Sequence, residues 1–167
     1  MDRLSRLFRS LARLAGLREG PRSEPCWKLP NVPRDLPAFV RALPKLIPEG
    51  GVFYLEGPQG KTPDEIRKLL ELNSVDDEAK LSRGILWPPP DIFHVPIREH
   101  ILAPLADLLA NYETPVGKLH LQAYKEGKVL LWGFDAFFDD PFIVSKRVPE
   151  ENLRAFCDAL GCTYKNA

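Results

Sequence analysis

GKLHLQAYKEGKVLLWGFDAFFDDPFIVSK, residues 117–146, decides the fold class. Leu119, Leu121 and Ala123 alternate with Lys118, His120, Gln122 and Tyr124, the period-two pattern of a strand with two unlike faces. Glu126-Gly127 is a compact turn, Val129 to Phe134 is apolar on both sides as a central strand is, and Pro141 to Lys146 reads as a third strand. Strands joined this closely cannot be parallel, because a parallel crossover takes about a dozen residues or more. The spacing therefore predicts an antiparallel meander covered by helices, an α+β chain.

Working outward, Pro149 and Glu150 open a helix that buries Leu153, Phe156, Cys157 and Leu160 and stops at Gly161, with a short last strand over 162–164. Upstream, 98–112 carries Ile101, Leu102, Leu105, Leu108, Leu109 and Tyr112 on one helical stripe. Phe93-His94-Val95 and Ile85-Leu86-Trp87 read as short strands, the latter stopped by three prolines, and Val52 to Glu56 as another. Thr62-Pro63-Asp64-Glu65 has the form of a capping box with Thr62 as N-cap and proline at the first helical position. A helix from Asp35 exposes Phe39, Val40, Leu43, Leu46 and Ile47 to the core, and Pro44 is expected to kink or end it.

The chain divides into a basic amphipathic helix over 1–18, a proline-rich tether or extended wrap over 19–34, and one α+β domain over 35–167. At 167 residues a single core suffices, without metal or disulfide. Seventeen prolines, about twice the usual share, favour short capped elements over long helices. Cys26, Cys157 and Cys162 are too few for a disulfide framework, and no cleavable secretory leader precedes them, so a reducing, cytoplasmic setting is expected. Cys157 falls on a buried stripe, where a thiol acts as a small hydrophobe.

Net charge is zero, but residues 1–22 hold six arginines against Asp2 and Glu19, so the body is acidic. That argues against nucleic acid as a partner and for a basic protein. In the first helix Arg6, Arg9 and Arg13 oppose a leucine stripe, a pattern suited to an anionic membrane surface, to an organelle import presequence (against which Asp2 counts), to docking on the body, or to a second copy in a homo-oligomer.

Three features bear on function. Phe134 to Asp140 sets Asp135, Asp139 and Asp140 around Phe137 and Phe138, the composition of a contact surface with an apolar anchor and an acidic rim; Trp87 beside its prolines offers a second aromatic lip. The alternatives are a hard cation held by the three aspartates, or phenylalanines that fold under and plug the core. Gly57-Pro58-Gln59-Gly60-Lys61-Thr62 lies between strand and helix and ends as a phosphate loop does, so Gly60, Lys61 and Thr62 are candidates for phosphate. The full motif needs glycine where Leu55 stands. His94, His100 and His120 lack metal-ligand spacing, and His120 with Gln122 and Tyr124 reads as a solvated strand face. No nucleophile elbow or zinc-protease motif is present, so neither a catalytic residue nor a cofactor or resident metal is assigned. The reading favoured is a non-catalytic, protein-binding module of the inhibitor or adaptor kind. A phosphate-binding enzyme and a membrane or assembly factor are the alternatives.

Overall fold

The computed structural model describes residues 24–48, 50–76, 81, 89–115, 118–138 and 140–167. Among them, strands β1 (Cys26–Leu29), β2 (Val52–Gly57), β3 (Asp91–Pro96), β4 (His120–Lys125), β5 (Lys128–Gly133), β6 (Phe142–Ser145) and β7 (Lys165–Asn166) form one sheet, ordered β3-β2-β4-β5-β6-β1-β7. Every pairing is antiparallel. Helices α1 (Leu36–Leu46), α2 (Asp64–Asn73), α3 (Glu99–Leu109) and α4 (Glu150–Leu160) complete an α+β architecture. The meander β4-β5-β6 stands as the alternation and short turns predict.

Its first turn is tight because Glu126 and Gly127 both take positive φ, the left-handed pair that matches the twist of two paired strands. A register shift between Ala123 and Tyr124 places a bulge in β5 opposite them. Part of the segment expected as a tether or wrap is a strand: β1 pairs with β6, and the Trp27 ring meets Tyr164 edge-on at 5.4 Å.

α1 begins as expected, with the Asp35 side chain accepting from the Ala38 N–H at 2.8 Å. Pro44 does not end it. The helix continues to Leu46, and the Ile47 N–H reaches the Leu43 carbonyl at 3.0 Å. The capping box is a correction. Pro63 is the N-cap, α2 starts at Asp64, and no side chain caps it, because Thr62 turns toward Asp91 instead. Asp64 and Glu65 in the first turn complement the helix dipole.

Alternation along the strands sorts the sheet into two faces. Leu29, Phe53, Leu55, Phe93, Val95, Leu121, Ala123, Leu131 and Val144 join one continuous core with Phe39, Leu43, Leu102, Leu105, Leu153 and Phe156 of the helices. α1 packs on α3 and α4, and α2 packs on α3. The other face carries two smaller clusters, Tyr54 with Tyr124 and Cys26 with Trp132 and Ile143. No described helix is long and apolar enough to cross a membrane.

Candidate functional site

A cavity of about 560 Å³ opens where the β2–α2 loop, the end of α3, residues 113–115 and residues 118–119 converge at one end of the sheet. Leu36, Leu55, Ile66, Leu109 and Leu119 supply its apolar wall, and Pro58, Thr62 and Pro63 its loop side. The exposed charges among its lining residues are Lys61, Glu113 and Lys118. The local reason is positional. β2 runs out at Gly57 and β4 begins at His120, opposite Glu56 across the ladder, so the chain after β2 and the chain before β4 lie at the same end of the sheet. Thr114 fixes one of them, its hydroxyl accepting the Leu36 N–H at 3.1 Å. The size and apolar lining are those of small-ligand sites in general.

The loop Gly57 to Thr62 contributes a wall and a lysine to this cavity rather than a nest of free amides. The Gly60 N–H donates to Asp91 Oδ2 at 2.9 Å, and Thr62 Oγ1 lies 3.5 Å from the same oxygen. Arg67 completes the arrangement at 2.6 Å, with its guanidinium 5.9 Å from the centre of the Phe93 ring. The Arg67 hydrogen bond is the chief cause that holds the Asp91 carboxyl below its ordinary range, with the Gly60 amide adding to it and burial opposing. Asp91 thus occupies, from within the chain, the place a bound phosphate would take on Gly60. Lys61 is exposed and free of that network.

The loop Phe134 to Asp140 divides its residues. Phe137 is only 3% exposed and packs edge-on against Phe39 at 5.7 Å, with Phe142 at 5.5 Å. It is a core plug, which corrects its expected role as a contact anchor. Phe138 is 54% exposed, and Asp140 is exposed. Asp135 and Phe137 both take positive φ, an uncommon backbone for residues with side chains. The turn is held by the Ala136 N–H on the Leu119 carbonyl at 2.8 Å and the Phe138 N–H on the Asp135 carbonyl at 3.0 Å. Asp139, Trp87, Arg6, Arg9 and Arg13 lie outside the described residues.

A third correction concerns His120, Gln122 and Tyr124, whose strand face is buried and not solvated. Across the ladder His120 stands opposite Glu56 and Gln122 opposite Tyr54, while Tyr54 also faces His94 on β3. Glu56 is 0% exposed and accepts from the Tyr54 hydroxyl at 2.6 Å. His94 Nδ1 and the Tyr124 hydroxyl are 2.9 Å apart. The Asp135 N–H donates to His120 Nδ1 at 3.1 Å, which puts the proton of the neutral ring on Nε2, 3.8 Å from Asp135 Oδ1. Burial pushes the His120 imidazole below its ordinary pKa, against the pull of Glu56 and Asp135.

Sequence reasoning missed Lys118, Asp91, Tyr54 and Glu56 as members of these arrangements. One signal was present: Tyr54 and Glu56 alternate within an apolar strand just as His120, Gln122 and Tyr124 do, which matches two polar strand faces to each other. Among the described residues no group of three His, Cys, Asp or Glu side chains is placed to hold a metal ion. Comparison with protein-family models, with curated proteins and with solved structures finds no match to this chain.

Proposed function

We propose that this protein binds a small amphipathic anion, with an apolar body in the cavity between α2, α3 and the sheet end and its anionic group at Lys61 and Lys118. The observation that carries the reading is the pairing of a 560 Å³ apolar-walled cavity with two exposed lysines among its lining residues. Apolar burial supplies affinity that does not depend on direction, and the two ammonium groups select the sign of the head group against Glu113. A nucleotide is disfavoured because Asp91 already takes the Gly60 amide and the wall is mostly aliphatic.

Dodecanoate and dodecanol, equal in chain and different in charge, test this by calorimetry and thermal shift. Dodecanoate is expected to bind more tightly, and the double variant Lys61→Ala/Lys118→Ala to remove the preference while the alcohol still binds. Absence of binding by both, or an unchanged preference in the variant, overturns the reading. A nucleoside triphosphate run in parallel is expected to give no shift.

Protein contact through the Phe134–Asp140 loop is a second reading, favoured by one observation: Phe138 is a large exposed apolar ring, and Asp140, two positions on, is exposed as well. A captured basic partner is expected to be released by Phe138→Ala with Asp140→Lys, at unchanged melting temperature. Retention by that variant counts against the loop.

A further inference from the structure

The C-terminus of α4 brings together two thiols that the sequence separates by four residues. Gly161 takes φ 63° and ψ 31°, the left-handed cap that ends the helix. The Cys162 N–H then reaches back to the Cys157 carbonyl at 3.0 Å, and the Gly161 N–H lies 3.4 Å from the Asp158 carbonyl. In such a closure the residue after the glycine packs over the residue five positions earlier, a pair usually filled by two apolar side chains. Here both members are cysteine. They are 2% and 8% exposed, both free, and both belong to the same buried core cluster.

We propose that Cys157 and Cys162 form a reversible disulfide across the α4 cap, a thiol–disulfide exchange site for small-molecule disulfides. Cys162 is the outer of the two and the attacking thiol. Its thiolate strikes one sulfur of R–S–S–R, expelling one thiolate that is protonated to RSH and leaving a mixed disulfide on Cys162. Cys157 then gives its proton to water, and its sulfur attacks the Cys162 sulfur, closing the Cys157–Cys162 bond and releasing the second RSH. Two thiols are oxidised and one external disulfide is reduced. The side-chain hydrogen bond from Cys157 also lowers the Cys162 pKa, in keeping with that order. The helix closure supplies the approach: the backbone bond from the Cys162 N–H to the Cys157 carbonyl brings the two residues together at the cap, within the backbone spacing a disulfide needs.

The test uses the full chain incubated with glutathione disulfide, with near-UV circular dichroism confirming that the fold persists. The protein is then quenched in acid, unfolded, alkylated and digested with trypsin. Both cysteines fall on the peptide spanning 155–165. The expected product is that peptide lighter by two hydrogens and carrying no alkyl group, restored by dithiothreitol, while Cys26 is alkylated. Cys157→Ser is expected to stop at the mixed disulfide on Cys162. Two alkyl groups on 155–165 after oxidation, or glutathione accumulating on Cys162 in the wild-type chain, overturns the proposal.

Discussion

On its helix-covered face the sheet offers Phe53, Leu55, Leu121, Ala123, Leu131 and Val144 to a continuous apolar core, whereas its opposite face sets Tyr54, Glu56, His120, Gln122 and Tyr124 side by side. Both faces are buried, but by different physics. The first gains from area removed from water, without regard to direction. The second buries polar groups, which is tolerable only where hydrogen bonds replace water, so it depends on angle, partner and protonation state. Cohesion therefore sits on one side of the sheet and sensitivity to conditions on the other.

The largest effect is expected on the apolar side. Phe39→Ala removes a ring that touches Phe137, Phe142 and Phe156, and chemical denaturation is expected to show a loss of about 3–5 kcal/mol. Phe137→Ala belongs in the same range, and a loss under about 1 kcal/mol would place that ring outside the core.

Next comes the polar side, where Tyr54→Phe keeps the ring and deletes one hydrogen bond to the buried Glu56 carboxylate. A loss of about 1.5–3 kcal/mol is expected by the same measurement. If the variant is as stable as the wild type, the two faces do not differ in the way described.

A pH series sharpens the contrast further. The folded-state pKa of His120 is depressed, so the unfolded chain binds more protons between the two values. The contribution is complete above about pH 6.5 and is lost as pH falls through the folded value. Wild-type stability is expected to decline over that window, and His120→Gln to flatten the slope while Phe39→Ala leaves it unchanged. Asp91, also depressed, acts lower, below about pH 4, because its stabilisation is present above the unfolded pKa and disappears on acidification.

The smallest effect is expected at Phe138, which joins neither face's core: Phe138→Ala should change stability by no more than about 0.5 kcal/mol. Two adjacent phenylalanines differing several-fold in cost would show how completely one turn separates plug from surface.

The architecture was legible wherever a side-chain period or a cap is local. Alternation over 119–124, the Glu126-Gly127 turn and the Pro149 to Gly161 helix all follow from neighbouring residues, since backbone geometry fixes which side chains share a face. The candidate sites were less legible. Lys61 was noticed for its motif, but Lys118, which shares its cavity, is 57 positions away and has no pattern linking the two. Asp91 fills the Gly60 amide from β3, a contact with no local trace.

By itself, then, the amino-acid sequence determined strand period, turn chemistry, helix faces and antiparallel order, because each rests on short-range sterics and amphipathic spacing. Only the tertiary structure decided that Phe137 points inward while Phe138 stays out, that the His120 face is buried, and that Cys157 and Cys162 are both buried in one core. Those outcomes depend on which surfaces meet once distant strands pair and helices dock. Burial is a property of the assembled neighbours, not of the residue alone.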